Sequence, residues 1–596
     1  MEIATITENT GGEQAKASLD VDQLREDKGV AARIKRQLNY SLLGLTALAI
    51  ILGSLVAYGA YGFRLSYLLF DQWVHDAGHI SSGLSQLLLL TVGGLFFGLI
   101  LKALHWERFR GPANVIIAVH EHDGRLNIKD GVITAACDAL ALGLGASVGR
   151  YGPAVQLGAT VGSILGQTVG LTRTGLRVLL GCGVAAAISA SFNAPIAGVI
   201  FAHEVIIGHF SLRALAPITV ASVVAVGVTR FHGFEYVALK LTEESLHLVV
   251  WEYAMYALLG LAAAGVALVY MNGILRAGEL ASKLRLPIWI QPALGGALAG
   301  AIGWWMPEVL GLGEKTMQDI LDPGIAASTY GIGLLALLCL AKLLASVSCL
   351  GFRYPGGVFS PALFMGAALG GLAGFLAPFL DYQICVLVGM GALIASVIGA
   401  PLATILIVFE LTENYQAATA VMIGVVAANA LVTRYYARSI FHRQILRLGI
   451  DLERPREQRL MAARHIDEIM SLNCLAVQPG STAAELQKLI MRGHEGDIFV
   501  VEGESRRLVG RLSLATLVAA RNDQTALELC EPVNLFLQRS DDLWTGFLAM
   551  ENLVGYLLPV VEDSTSMSLV GSVAESDFIA VYREAVTQVR EEQQGR

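Results

Sequence analysis

Two short glycine–proline motifs carry residue types that suit the binding of a small anion. The first is Gly-Arg-Tyr-Gly-Pro at residues 149–153, and the second is Gly-Val-Phe-Ser-Pro at residues 357–361. Each opens an apolar segment rich in glycine and alanine. The first N–H groups of a helix have no partner within it, and the helix dipole makes that end partly positive. Because glycine lets a ligand approach the backbone and proline is accepted in the first turn, both motifs predict helix starts that bind an anion.

A second pair of landmarks indicates that the two motifs belong to a repeat. Asn-Ala-Pro-Ile-Ala occupies residues 193–197, and Gly-Ala-Pro-Leu-Ala occupies residues 399–403. Each runs through apolar residues into a carboxylate, Glu204 in the first half and Glu410 in the second. The prolines of motif and landmark are 42 residues apart in the first half and 40 in the second. Because two different landmarks recur in one order at nearly one spacing, we predict two related halves.

Long apolar segments must hold these motifs in place. The 596 residues are 54% hydrophobic and only 15% charged, whereas a soluble domain is about 25% charged. A helix that spans a bilayer needs about 20 apolar residues. Clear candidates for such spans lie at 41–63, 84–104, 250–272, 289–306, 330–350 and 417–434.

Further apolar segments are broken by glycine, proline and polar residues. They lie at 131–170, 176–210, 214–230 and 356–410. Broken backbone survives at membrane depth only where it is buried or lines a cavity. Broken segments in matching positions of two halves point to a transport site. The sequence therefore predicts an all-α polytopic membrane domain with repeats and broken helices.

Changes of composition along the chain predict three parts. Residues 1–38 are polar, residues 39–450 are dominated by apolar runs, and residues 451–596 return to a soluble composition. Because the first apolar run begins only near Tyr40, no signal peptide is expected. The basic residues just before it favour a cytoplasmic N-terminus. The C-terminal module is then expected to be cytoplasmic too, after an even number of crossings.

Charge and cysteine content argue against several classes of function. The net charge is −8 and no basic stripe rises above background, so we expect no nucleic-acid partner. The seven cysteines are scattered singly without metal-ligand spacing, so we expect no metal site. No nucleophile–base set or phosphate-binding loop is apparent, so we expect neither an enzyme nor a required cofactor.

These motifs resemble those of the CLC family of chloride channels and proton/chloride antiporters, over roughly residues 85–450. Residues 149–153 look like the family's Gly-Arg-Glu-Gly-Pro loop, and residues 357–361 match its Gly-x-Phe-x-Pro loop in full. Stretches at 192–195 and 400–415 are similar to two further family segments. The resemblance implies a homodimer with inverted repeats and one anion pore in each subunit. It also implies an integral protein of a bacterial inner or plasma membrane.

Two departures from the family pattern concern proton transfer. The family's gate glutamate, whose carboxylate competes with the anion and carries a proton, is Tyr151 here. A neutral phenol donates one hydrogen bond and its ring can plug a pore, but it does not easily cycle a proton at pH 7. The alternative is that Tyr151 only packs. The family's inner proton glutamate aligns with Val205, which cannot titrate.

Neighbours of Val205 are the alternative proton carriers. His203 titrates near neutral pH, and Glu204 is an ionisable residue within the membrane domain. Yet one helical position turns a side chain by about 100 degrees. A structural role for Glu204 is therefore favoured.

Two more departures concern contacts with the anion. Arg110 before Gly111 aligns with the serine of the family's first anion loop, unless the register slips and the serine is absent. Arg110 either adds positive potential near the pore or faces lipid headgroups. The family's late pore tyrosine aligns with Phe441, and we hypothesise that the Tyr151 hydroxyl replaces the lost one. The resemblance thus assigns the pore to Arg110, Gly111, Gly149, Arg150, Tyr151, Gly152, Pro153, Gly357, Val358, Phe359, Ser360, Pro361 and Phe441.

The C-terminal module is similar to a tandem CBS pair, an α/β fold. Strand-like pieces lie at 475–477, 497–501, 508–512, 557–561 and 569–573, with helix-like pieces between them. Such pairs can bind adenine nucleotides through an aspartate that closes a Gly-h-h-Thr/Ser-x-x-Asp pattern. Asp577 fits that place but Ala574 replaces the hydroxyl, whereas the first copy keeps Ser513 and has Thr516 instead of aspartate. Each copy is half a site, so structural support of a dimer is favoured over nucleotide sensing.

The sequence therefore favours a passive anion channel of CLC type with Tyr151 as a neutral gate. Because Tyr151 and Val205 replace the two glutamates that carry protons in the family, proton coupling has lost its known carriers. Chloride is the default ion, while nitrate, bromide and bicarbonate stay open. The alternatives are a proton-coupled antiporter on the same fold and, from another class, a nucleotide sensor whose membrane part is secondary.

Overall fold

The chain forms two compact units, which separate after Ile450. The structure is a computed structural model and describes residues 42–76, 83–210, 212–233, 249–283, 285–436, 438–452, 454–491, 496–553 and 556–594. The polar tail predicted at residues 1–38 lies outside the described residues.

In the described part of the first unit all regular secondary structure is helical, apart from one isolated backbone bridge. Its helices are α1 (Leu42–Asp76), α2 (Gly83–Leu104), α3 (Pro112–His120), α4 (Ile128–Gly143), α5 (Tyr151–Val169), α6 (Arg173–Phe192), α7 (Pro195–Phe201), α8 (Leu212–Phe231), α9 (Val250–Lys283), α10 (Gln291–Trp305), α11 (Glu314–Leu321), α12 (Pro323–Ile325), α13 (Gly331–Gly351), α14 (Phe359–Leu376), α15 (Tyr382–Ile398), α16 (Pro401–Thr412), α17 (Tyr415–Tyr435) and α18 (Ile440–Leu446). Turns of π-helix at Ala202–Ile207 and Ala326–Tyr330 follow α7 and α12, and a 3-10 turn at Pro307–Val309 precedes α11.

Eight helical stretches among the described residues are long and apolar enough to cross a membrane. The runs predicted at 84–104 and 330–350 coincide within one residue with α2 and α13. The run predicted at 250–272 is longer in the structure, because α9 continues to Lys283. The run at 289–306 forms only the 15-residue α10, which is shorter than a simple span.

The broken segments divide at their glycine and proline positions. Segment 131–170 becomes α4 and α5, and segment 356–410 becomes α14, α15 and α16. Segment 176–210 becomes α6, α7 and the π-helical turn. Segment 214–230 differs, because it lies within the continuous helix α8 with Pro217 inside it. The predicted broken helices are therefore confirmed for three of the four segments.

The backbone repeats the order of motif helix, second helix and landmark helix. The helices α5, α6 and α7 follow the first motif, and α14, α15 and α16 follow the second. The residue before each motif helix has nearly the same angles, φ −89° and ψ −22° at Arg150 and φ −89° and ψ −13° at Val358. Each second helix ends in a left-handed residue, Asn193 with φ 55° and Gly399 with φ 70°. Asparagine and glycine tolerate that conformation best, so the sequence repeat and the backbone repeat agree.

Glycines bring the motif helix of each half close to the helix that follows it. A Cβ atom at Gly158 would lie 2.3 Å from the carbonyl oxygen of Gly183. A Cβ atom at Gly366 would lie 2.5 Å from the carbonyl oxygen of Gly389. Small residues let membrane helices approach each other closely. These contacts fix the axes of the two motif helices.

The second unit contains two three-stranded sheets of the same topology. The strands are β1 (Ala476–Val477), β2 (Ile498–Glu502), β3 (Arg507–Leu512), β4 (Leu537–Gln538), β5 (Leu557–Val561) and β6 (Leu569–Ala574). In each sheet the first strand is parallel to the middle strand and the third is antiparallel to it. The register shifts between Val500 and Val501 in one sheet and between Val560 and Val561 in the other. The predicted tandem repeat is thus visible in the fold.

Helices surround these sheets as the α/β prediction requires. They are α19 (Arg456–Ala462), α20 (Ala483–Met491), α21 (Leu514–Ala519), α22 (Ala526–Leu529), α23 (Leu543–Ala549) and α24 (Glu575–Gln594), with 3-10 turns at Ile466–Glu468 and Met550–Asn552. Backbone hydrogen bonds join the two copies, since Leu508 N–H donates to Met567 O (2.8 Å) and Leu569 N–H donates to Arg506 O (3.0 Å). The strands predicted at 497–501, 508–512, 557–561 and 569–573 match β2, β3, β5 and β6 within one residue.

Candidate functional site

The two glycine–proline motifs meet through their backbones. Gly149 N–H donates to Gly357 O (2.7 Å), and Gly357 N–H donates to Gly149 O (2.8 Å). A Cβ atom at Gly149 would lie 2.8 Å from Ser360 N, so only glycine fits there without a shift. This bridge joins residues more than 200 positions apart. It holds the starts of α5 and α14 side by side.

Both motif helices begin without a side-chain cap. Arg150 and Val358 stand at the N-cap positions, and neither side chain caps a backbone N–H group of the first turn. Pro153 and Pro361 occupy the third helical position of their helices, where the missing N–H would have no partner within the helix. The remaining free N–H groups of each first turn leave a partly positive end that suits an anion.

Three aromatic rings pack where the two helix starts meet. Tyr151 stacks on Phe192 with ring centroids 4.1 Å apart and an interplanar angle of 19°. Phe359 lies 4.8 Å from Tyr151 and 5.3 Å from Phe192. The tyrosine ring therefore packs against both phenylalanine rings. Sequence reasoning missed Phe192 as a site residue, although it directly precedes the Asn-Ala-Pro landmark.

Arg150 turns its guanidinium towards hydroxyls and a carboxylate. Its Nη2 donates to Tyr151 Oη (3.1 Å), and its Nη1 donates to Tyr67 Oη (2.7 Å). The Nη1 atom also lies 2.9 Å from Glu314 Oε1. Arg150 is only 7% exposed. The Tyr151 oxygen thus accepts a bond from a fixed cation, and its own O–H can still donate.

A cavity of about 600 Å³ lies beside both motifs. It brings together many of the predicted pore residues, namely Arg110, Gly111, Tyr151, Gly152, Gly357, Val358, Phe359 and Phe441. The other predicted pore residues, Gly149, Arg150, Pro153, Ser360 and Pro361, do not line it. Ser360 lies behind the wall, where its Oγ is buried and has no hydrogen-bond partner among the described residues.

Basic groups outnumber acidic groups in the wall of this cavity. The basic residues are Arg108, Arg110, Lys283, Arg353 and Arg447, and the acidic residues are Glu107 and Glu279. Arg447 pairs with Glu279, and Arg353 donates to the carbonyl oxygen of Glu107. The wall keeps an excess of positive charge, which raises the local concentration of anions.

Arg110 has a defined place in this wall. Its Nε donates to Asp130 Oδ2 (3.2 Å), and its guanidinium lies 5.0 Å from the centre of the Trp106 ring. The adjoining Gly111 precedes α3, whose first residue is Pro112. Arg110 therefore lines the cavity while a carboxylate offsets part of its charge.

The landmark helices begin differently, because carboxylates close both of their starts. Glu410 accepts from Ile196 N–H (2.9 Å) and Ala197 N–H (2.8 Å) at the start of α7. In the other half, Glu204 accepts from the N–H groups of residues 402 and 403 (3.1 and 2.9 Å) at the start of α16. Each half thus caps a helix of the other half.

The residue predicted to replace the family's inner proton glutamate lies in the π-helical turn after α7. Val205 is buried there. His203 is fully buried, its Nδ1 lies 3.0 Å from Val199 O, and its ring stacks on Phe210. Its Nε2 has no hydrogen-bond partner among the described residues. Single π-helical turns are frequent at functional sites.

The predicted nucleotide position is occupied by a helix cap. Asp577 Oδ2 accepts from Ala574 N–H (3.1 Å) at the start of α24. In the first copy Ser513 caps α21 by accepting from Thr516 N–H (3.1 Å). Both copies therefore place the predicted residues at the same kind of helix start.

Comparison with known proteins decides the family. The model of the family described as voltage gated chloride channel matches residues 93–433, and that of the CBS domain matches residues 466–523. The chain belongs to the CLC family. A ClcB-like chloride channel protein of Ralstonia nicotianae is 32% identical over 424 residues, which are 68% of this chain and 97% of the relative. The voltage-gated ClC-type chloride channel ClcB of Escherichia coli is 30% identical over 420 residues, which are 67% and 97% of the two chains.

Solved CLC structures share the fold. A slow cyanobacterial Cl⁻/H⁺ antiporter superposes with a TM-score of 0.59 at 21% identity, over 69% of this chain and 99% of its own. A eukaryotic CLC transporter superposes with a TM-score of 0.58 at 18% identity, over 90% of this chain and 98% of its own. The predicted fold class, a CLC membrane domain followed by a CBS module, is confirmed. This CLC protein is an integral membrane protein of a family of chloride channels and antiporters, which are not enzymes.

Proposed function

We propose that this CLC protein is a passive anion channel in which Tyr151 is a neutral gate. The aromatic packing of Tyr151 carries the proposal. Its ring stacks at 4.1 Å on Phe192 beside the joined helix starts. Its hydroxyl accepts a bond from Arg150. A plug held by stacking and one hydrogen bond can move aside without taking up or releasing a proton.

The absence of carboxyl groups from both family proton positions supports passive flow. Tyr151 occupies the gate position and Val205 the inner position. Glu204, the nearest carboxylate to Val205 in the chain, is engaged by two backbone N–H groups of α16. A group that caps a helix loses two hydrogen bonds to a charged acceptor when it takes up a proton, which makes it a poor proton shuttle.

Liposome flux separates a channel from an antiporter. Purified protein is reconstituted with a chloride gradient and no pH gradient, and both ions are followed. We expect chloride to run down its gradient, with a reversal potential that follows chloride alone. Uphill movement of protons driven by chloride would overturn the proposal.

A proton-coupled antiporter is the second candidate, and His203 favours it. Its buried Nε2 has no hydrogen-bond partner among the described residues, so that atom is available to a proton or a water. The similar solved structures include a Cl⁻/H⁺ antiporter and a fluoride/proton antiporter. If uphill proton movement occurs, His203→Gln should abolish it and leave anion flux in place.

Chloride is the proposed ion because the relatives are described as chloride channels. The site offers backbone N–H groups and an excess of arginine in the cavity wall, and such donors discriminate weakly among small anions. Nitrate, bromide and bicarbonate should therefore be compared with chloride in the same flux assay. The bacterial relatives favour the inner membrane, with both termini in the cytoplasm and a homodimer as the assembly.

We propose that the CBS module supports the dimer, with adenine-nucleotide sensing as the alternative. Asp577 is bound to Ala574 N–H and lacks the neighbouring hydroxyl of the family pattern. Titration of the full chain with ATP, followed by a thermal shift, tests the alternative. A saturable shift that Asp577→Asn removes would establish nucleotide binding.

A further inference from the structure

The ion pair between Arg150 and Glu314 has one buried and one exposed partner. The Arg150 side chain is 8% exposed, the Glu314 side chain is 34% exposed, and their charged atoms lie 2.9 Å apart. Arg150 cannot lose its charge at accessible pH, so its guanidinium always needs an anion nearby. The glutamate is the partner that can leave, because water can solvate its carboxylate.

Glu314 stands at the start of a helix, directly after a turn that contains two left-handed glycines. It is the first residue of α11, and no side chain caps that helix. Gly313 directly before it is left-handed, with φ 70°, as is Gly311 with φ 56°. A rotation of the Glu314 side chain into solvent breaks its contact with Arg150, while the bonds from Arg150 to Tyr67 and Tyr151 remain.

A small cavity touches Arg150 and lies apart from the large one. Its volume is about 40 Å³, which exceeds the roughly 10–15 Å³ that one ordered water requires. Arg64 of α1 also lines it, together with the small side chains of Ala154 and Ser191. Arg64 and Arg150 both line this space, and positively charged residues beside a cavity this small suit a single monoatomic anion better than a larger oxyanion.

We propose that the cavity between Arg64 and Arg150 is a second anion site for chloride or bromide, and that Glu314 limits its occupancy. The carboxylate and the anion compete for the charge of Arg150. When Glu314 leaves, the anion becomes the partner of the guanidinium. Because Arg150 also bonds to Tyr151, occupancy of this site is coupled to the gate, and this coupling rests on the proposed function.

Charge-neutralising variants test the competition. Glu314→Gln should lower the bromide concentration for half-maximal binding by about two- to fivefold, the strength of an ion pair with a solvated partner. Glu308→Gln is the matched control, because it removes the same charge from the 3-10 turn just before α11. Binding is measured on the purified full chain by bromide anomalous diffraction and by bromide titration. Glu314→Asp, which keeps a carboxylate, should restore most of the wild-type behaviour.

Arg64 distinguishes this site from the helix starts. Arg64→Gln should remove the anomalous peak between the two arginines, while Arg64→Lys should retain it. No peak in the wild type or in Glu314→Gln, at bromide levels that saturate flux, would overturn the proposal. So would equal half-maximal concentrations for Glu314→Gln and Glu308→Gln. Proton flux in the liposome assay would overturn the channel proposal alone, because bromide binding is measured independently.

Discussion

The two kinds of helix start in the membrane unit differ in what faces their free N–H groups. The motif helices α5 and α14 begin at Tyr151 and Phe359 with no side-chain cap. The landmark helices α7 and α16 begin with a glutamate from the other half on their N–H groups. All four starts have the composition that suits an anion, yet only two of them are open.

The difference shows how the fold limits where an anion can bind. A carboxylate bound to two N–H groups already neutralises the partial positive charge of a helix start. The reciprocal caps also tie the halves together, since Glu204 serves α16 and Glu410 serves α7. Of these four helix starts, the two beside the large cavity are therefore the ones whose N–H groups no carboxylate occupies.

Disturbing the backbone bridge between the two uncapped helix starts, those of α5 and α14, should have the largest effect. In Gly149→Ala the new Cβ lies 2.8 Å from Ser360 N and 3.0 Å from Gly357 O, so the bridge must shift. Overpacking of this kind costs about 1–3 kcal/mol, and we expect anion flux in liposomes to fall about tenfold or more. Gly333→Ala is the control, because no atom lies within 4 Å of its Cβ. Equal flux in the two variants would contradict the role of the bridge.

Removing the carboxylate cap from the start of α7 should have the next largest effect. Glu410→Gln weakens two charge-assisted bonds, to Ile196 and Ala197, and should lower the free energy of unfolding by about 2 kcal/mol. Bromide should raise the melting temperature of this variant more than that of the wild type, because the anion can replace the carboxylate. Glu413→Gln is the control, since that exposed residue ends the same helix. If both variants melt alike, the cap contributes nothing.

Removing the hydroxyl of Tyr151, the proposed gate, should have a smaller effect. Tyr151→Phe keeps the ring stacked on Phe192 and removes only the oxygen that Arg150 binds. One hydrogen bond is worth about 1 kcal/mol, so we expect the apparent anion affinity to change about fivefold. Concentration-dependent flux measures it. Unchanged affinity and conductance would rule out a role for the hydroxyl.

Removing the Ser360 hydroxyl at the start of α14 should have the smallest effect. Ser360 Oγ is buried at the start of α14 without a hydrogen-bond partner among the described residues. If it turns to an anion, Ser360→Ala should weaken anion affinity about two- to threefold, at the low end for one hydrogen bond. Ser396→Ala is the control, because that hydroxyl donates to Ala392 O. An effect no larger than that of the control would assign Ser360 to packing.

The sequence predicted the broken helices but not their contacts. Prolines and glycines in the two motifs mark helix starts through local backbone preferences, and the structure has those starts at Tyr151 and Phe359. The stacking of Phe192 on Tyr151 was not predicted, because it depends on how α6 packs against α5. The continuous helix α8 was not predicted either, because Pro217 resembles a break and packing overrides it.

In the candidate site, too, some features were predicted from the sequence and others were not. The sequence identified Tyr151 and Val205 as departures, since a motif is local and its residues can be compared one by one. It could not assign Glu314 to Arg150, because 163 residues separate them and glutamates are common on surfaces. The partner of Glu204 was equally hidden, because it lies in the other half.

The sequence by itself determined the two related halves, the interrupted helices and the neutral residues at the two positions where the family pattern has glutamate. These follow from residue types and spacing, which act within a few turns of chain. Only the tertiary structure decided which helix starts stay open, what holds Arg150 and where the positive cavity lies. Those depend on charges and hydrogen bonds between segments that fold together from distant parts of the chain.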